Sequence, residues 1–272
     1  MDEIETRIRG AIDAEPEGIG KFLNDPSDKV ILSLLANRNI NEEHLLVLAK
    51  RRDLSGSVLE AVGARRFGPE GRRVKLALVS NPKTPRRMAL GFLKDLRLRD
   101  LGFVTRNRSI PTELRQTAEG IIKEKLPSLP PGMKISLARQ VSEELIKALL
   151  AEGDMLVARA CFENPMMSEA VALWAVNHEK TPPSTIESIS AHPKWSARKS
   201  VRFALARNPF TPIGRAIEFV QRMVISEQRF LYNDPSVPAA VKVQVEIELE
   251  RKGQPLFPPN DAGRIIGMPE EE

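Results

Sequence analysis

Apolar positions recur along this chain every three or four residues, and one stretch that shows the spacing clearly occurs twice. Residues 74–93 read VKLALVSNPKTPRRMALGFL, and residues 201–220 read VRFALARNPFTPIGRAIEFV. Val74, Ala77 and Leu78 stand at i, i+3 and i+4, the spacing of one helix face. Pro82 lacks an N–H and drives Asn81 out of the α region, so this helix is expected to stop at about Asn81. Thr84 is expected to cap the next helix, with Pro85 at its first position, where the missing N–H costs nothing. Ala89, Phe92, Leu93 and Leu96 then restore the helical spacing, as Ala216, Phe219, Val220 and Met223 do in the second copy. The motif N-P-x-T-P is a stop signal joined to a start signal, a tight corner between two helices.

Helix starts recur near Asp28, Ser57, Thr84 and Pro111, about 27 residues apart, with second starts near Asn41, Gly71 and Arg97. Such a run reads as a series of helical hairpins. The segment PSLPPG at 127–132 interrupts it, and one longer helix is expected over 134–150, ended by Gly153. The rhythm then resumes near Asp154, Ser184, Thr211 and Pro238. The two runs align without gaps at a constant offset of 127 residues, which pairs Asn81 with Asn208, Asn37 with Asn164 and Pro111 with Pro238. Ser57 with Glu60 and Ser184 with Glu187 read as capping boxes, and Asn41-Glu42 and Ser168-Glu169 as caps followed by an acid in the first turn. Two unrelated domains would not share caps in register, so the pattern indicates a duplicated array. The fold expected is all-α, a right-handed α-α superhelix of helical hairpins in two similar halves. Its expected divisions are a helical cap at 1–27, a first half at 28–126, a linker and long connecting helix at 127–153, a second half at 154–252 and a flexible tail at 253–272.

The pattern A-L-x-x-N-P-x-T-P-x-x-x-A, at Ala77–Ala89 and again at Ala204–Ala216, resembles the HEAT-like and leucine-rich-repeat-variant class of bacterial α-solenoids. The resemblance implies a binding surface rather than a reaction. Some variant-repeat proteins carry an iron–sulfur cluster, for which this chain, with one cysteine, lacks the ligands. One HEAT-like branch consists of DNA alkylation-repair glycosylases that hold a duplex on a basic concave face. The likeness to that branch is one of architecture, and none of its catalytic residues is placed here.

Composition narrows the function further. A single cysteine, Cys161, excludes an internal disulfide, and its neighbours Ala160 and Phe162 point to a buried, inert thiol. No apolar run approaches the roughly 20 residues of a membrane span. The acidic start MDEIETRIRGAIDAE lacks a signal peptide's apolar segment, so a cytoplasmic protein without membrane contact is expected. His44, His178 and His192 do not pair under the offset, and the chain holds no H-E-x-x-H, G-x-S-x-G, phosphate-binding loop or G-x-G-x-x-G. No catalytic residue, metal ligand or cofactor is therefore assigned, and a non-enzymatic protein is expected.

Charge is the one functional signal. Residues 50–125 carry 19 Lys/Arg against 8 Asp/Glu, a net +11, while the whole chain is +5. The second half does not preserve this charge: Arg51, Arg65, Arg72, Arg86, Arg97 and Arg106 pair with His178, His192, Lys199, Ile213, Val224 and Asn233. The reading is a scaffold for a protein partner whose basic first half suits an acidic ligand, through Arg66, Arg72, Arg73, Arg86, Arg87, Arg97, Arg106 and Arg108. Equivalent corners stack in a solenoid, so these charges would line up as a stripe. The same stripe would alternatively hold nucleic acid, although Trp174 and Trp195 lie outside the basic half and aromatics that stack bases are scarce within it.

Overall fold

A computed structural model describes residues 3–68 and 71–257. These residues form 19 α-helices and two 3-10 turns, with no strand among them. They divide into two compact units. One takes in the described residues up to Met133 together with Gln140–Ser142, and the other Lys134–Arg139 with everything described from Glu143 on. None of the described helices is long and apolar enough to cross a membrane.

Within each unit, a helix packs on its neighbour in the chain and on the next but one. In the first unit one row runs through the helices Glu3–Ile12, Asp28–Leu35 and Gly56–Gly63, and through Arg86–Leu93 and Thr112–Lys125. A second row holds Glu42–Lys50 against Gly71–Ser80, with Leu98–Arg106 beyond, tied back by the Arg72–Asp100 ion pair at 2.9 Å. The core lies between the rows. Val30, Ile31 and Leu34 from the first row meet Leu45, Leu48, Val74 and Leu78 from the second, all fully or nearly fully buried.

The offset of 127 extends to the helix boundaries. Asp28–Leu35, Glu42–Lys50 and Leu98–Arg106 become Met155–Phe162, Glu169–Asn177 and Ile225–Asn233, with both ends in register. The register also reaches upstream of the aligned sequence. Glu3–Ile12 corresponds to Pro131–Ala138, and Ile19–Phe22 to Glu143–Leu150. The single helix expected over 134–150 is thus two helices, counterparts of the pair that opens the first unit. Pro16 marks the break in the first unit. The second has Glu143 there and carries no proline or glycine to signal it.

The corners depend on asparagine. The helix Gly71–Ser80 ends one residue before Asn81, as Pro82 requires. The buried Asn81 amide then donates twice to the repeat before it, to the carbonyls of Ala49 at 2.9 Å and Arg51 at 2.8 Å, while its Oδ1 accepts from Lys83 N–H at 3.1 Å. Asn208 makes the matching bonds to Val176 and from Phe210, at 2.7 and 2.9 Å. Asn37 donates to Ala11 and Ala14, and Asn164 to Ala138. Each Asn closes an Asx turn and satisfies carbonyls at the end of an earlier helix, groups that otherwise lack intrahelical partners.

Two capping expectations are corrected. Thr84 does not cap: Pro85 is the N-cap residue, no side chain caps that end, and the buried Thr84 hydroxyl, like that of Thr211, has no partner. Positions in the same place at other corners hold Leu54, Ile110, Met167 and Val237, all buried, so this site is a plug for the core and threonine fills it with its methyl. Ser57 and Ser184 are not capping boxes either. Ser55 is the N-cap of Gly56–Gly63, and Ser184 Oγ instead donates to the Gly153 carbonyl at 2.7 Å. Asn41 and Ser168 do cap, accepting from His44 and Val171 N–H at 3.0 and 3.3 Å.

Candidate binding grooves

Each unit has a groove where helices of its second row end. In the first unit a hollow of about 280 Å³ lies among Ala49, Leu76, Ala77, Ser80, Asn81 and Phe103, with Lys50 and Arg52 at its edge. In the second unit the larger hollow, about 530 Å³, is lined by Val176, Asn177, Ala204, Arg207, Asn208 and others. Six lining pairs match at the offset: Ala49 with Val176, Lys50 with Asn177, Arg52 with Glu179, Ala77 with Ala204, Ser80 with Arg207, and Asn81 with Asn208. Phe103, 38% exposed, lines the first hollow; its register counterpart Phe230, 59% exposed, does not line the second, where the exposed ring is Phe210 at 51%. Phe230 lies 5.7 Å from Phe203, and Arg106 sits over Phe103 at 6.0 Å.

The eight arginines expected to form one stripe are divided by the structure. Arg72 pairs with Asp100, and Arg73 pairs with Glu43 at 2.6 Å. Arg86 pairs with Glu113, which holds the guanidinium charged. Arg86 and Arg87 flank a shallow hollow on the Arg86–Leu93 helix with Leu90, Gly91 and Lys94. Arg72 and Arg97 line a different one with Phe67, Lys75 and Asp95, where Lys75 and Asp95 are themselves paired at 2.6 Å. Arg106 belongs to the groove through Phe103, while Arg66 and Arg108 are exposed outside these hollows. Among the described residues, Arg66, Arg87, Arg97, Arg106 and Arg108 have no acidic partner. Lys50 and Arg52, cations of the groove, were not singled out as site residues from the sequence. Their signal was present in their position at a helix C-terminus beside an exposed aromatic one turn-row away, but the three are far apart along the chain.

The remaining polar groups have structural roles. Cys161 is buried, and desolvation with the Glu152 charge pushes its thiol up to about 12. His44 closes the cap at Asn41, and His192 caps a short helix while packing on Phe162 and Trp195. Burial lowers both imidazoles, and Lys194 adds to the effect at His192. His178 stacks on Trp174 with centroids 4.5 Å apart. Among the described residues, no three His, Cys, Asp or Glu side chains are grouped to hold a metal. The described residues define an all-helical protein whose helix boundaries recur at an offset of 127 residues. No family model, curated protein or solved structure matches the chain.

Proposed function

We propose that this protein is a non-enzymatic scaffold, a HEAT-like right-handed superhelix related in style to the leucine-rich-repeat variants, that binds a protein partner along the second-row grooves. The observation that supports this is the groove itself, repeated at one register in both units and lined by an exposed ring in each, Phe103 in the first and Phe210 in the second. Aromatic rings that border a hollow are the groups that contribute most to protein interfaces. The cations of the first half give that half its preference for acidic ligands.

Selection of random twelve-residue peptides against the full chain tests the reading. Peptides that bind, and that weaken on Phe103→Ala or Phe210→Ala, support it. A selection that yields no binder refutes it. Nucleic-acid binding is the second reading, supported by the unpaired Arg87 and Lys94 on the face of one helix. Labelled duplex titrated at 50 and 200 mM salt separates the two, because phosphate contacts give a log–log slope of about −0.9 each.

A further inference from the structure

We infer that the first unit's groove takes an acidic segment of a partner protein, anchored by one aromatic or large aliphatic side chain; this rests on the scaffold reading above. At about 280 Å³ the hollow is smaller than the roughly 300–1,000 Å³ of small-molecule sites, and suits a single side chain. Its walls are apolar: Ala49, Leu76, Ala77 and Phe103. The polar groups among them are already engaged. Asn81 bonds with both ends of its amide, and Ser80 Oγ donates to the Leu76 carbonyl at 2.8 Å. An incoming side chain therefore meets an apolar floor that asks for no polar partner.

The rim has the opposite character. Lys50, Arg52 and Arg106 stand around the hollow without an acidic partner among the described residues, whereas nearby Arg51, Lys75 and Arg72 are consumed by Asp53, Asp95 and Asp100. Cations at helix C-termini also complement the helix dipole, and Lys50 and Arg106 are the last residues of their helices. That stabilisation is not required by the corner. Asn177, Glu179 and Asn233 take the places of Lys50, Arg52 and Arg106 in the second unit, where the helices end at the same register. Among the described residues, the one Lys or Arg that lines the second unit's groove, Arg207, is bound to Asp234 at 2.6 Å. The unneutralised charge is thus specific to the first groove, and carboxylates on either side of an apolar anchor match it.

Fluorescein-labelled twelve-residue peptides test this: one central Phe flanked by Asp and Glu, the same peptide with Lys for each acid, and the acidic peptide with Ala for Phe. Anisotropy with the full chain at about 100 mM salt is expected to show the acidic Phe peptide binding at least about tenfold tighter than either control. Phe103→Ala and the double variant Lys50→Glu, Arg52→Glu are each expected to lose about tenfold or more, and Phe230→Ala to change nothing. Phe103 and both cations are solvent-exposed, and circular dichroism confirms that each variant is folded. Acidic peptides that bind no better than the Lys control, or whose binding survives the groove variants, overturn the inference. If random peptides bind the chain all the same, the scaffold reading stands without it; if nothing binds, both fall.

Discussion

Replacing Asn81 by alanine removes three hydrogen bonds from one buried corner and leaves the Ala49 and Arg51 carbonyls without those partners. At about 1 kcal/mol net per bond, the expected loss is about 3 kcal/mol. The equivalent Asn208 makes two such bonds and is less buried, so Asn208→Ala is expected to lose about 2 kcal/mol. Urea titration measures both. Trp174 and Trp195 lie in the second unit, so Asn208→Ala is read in tryptophan fluorescence and Asn81→Ala in circular dichroism at 222 nm. Asn81→Asp provides a sharper comparison. The acid keeps the acceptor for Lys83 but turns a second oxygen toward the two carbonyls, so it should be no more stable than alanine. Asp234 tolerates a carboxylate at its own corner, with Arg207 2.6 Å away. An Asn81→Ala protein within about 0.5 kcal/mol of the parent, the range of an ordinary surface change, refutes the role assigned to this amide.

Thr84→Val and Thr211→Val each remove a buried hydroxyl without a partner while keeping its shape, and should stabilise by about 1 kcal/mol in the same titrations; destabilisation contradicts the plug. With its thiol pushed up to about 12, Cys161 should be about one part in ten thousand thiolate at pH 8, and should react with a thiol reagent only after denaturant is added. The Asp234 carboxyl is held below its ordinary value by the Ser236 hydroxyl and N–H, with Arg207 contributing. A depressed carboxylate stabilises above the usual range near pH 4 and loses that contribution as pH falls through its folded value, so Asp234→Asn should flatten acid unfolding below about pH 4. Arg86→Ala breaks an exposed pair and should change stability by less than about 1 kcal/mol.

The sequence made the helices legible because corner chemistry is local. Pro82 and Pro209 end their helices where hydrogen bonding forbids continuation, and Asn41, Ser168 and Asp154 cap within three residues. The role of Thr84 was not legible, since a threonine before a proline looks like a cap whether its hydroxyl is free or buried. The break between Ala138 and Glu143 was hidden for a related reason. Its Ser142 N–H and hydroxyl go to Thr105 and Glu119, more than 20 residues away, and no breaker residue marks it. The groove was harder still. Lys50, Arg52 and Phe103 come together only through the packing of Glu42–Lys50, Gly71–Ser80 and Leu98–Arg106, while the local density of arginines drew attention to Arg72, Arg73 and Arg86, which the fold neutralises.

The amides of Asn37, Asn81, Asn164 and Asn208 reach toward the N-terminus, across 23 to 32 residues. This gives the chain a direction during synthesis. As it leaves the ribosome, a hairpin emerges with carbonyls open at a helix end, and those carbonyls are closed only when the following corner arrives. Each such corner closes carbonyls of the hairpin already made. A nascent chain halted just short of Asn81 would hold its earlier helices with their last turn unfastened, and a few more residues of translation would secure them.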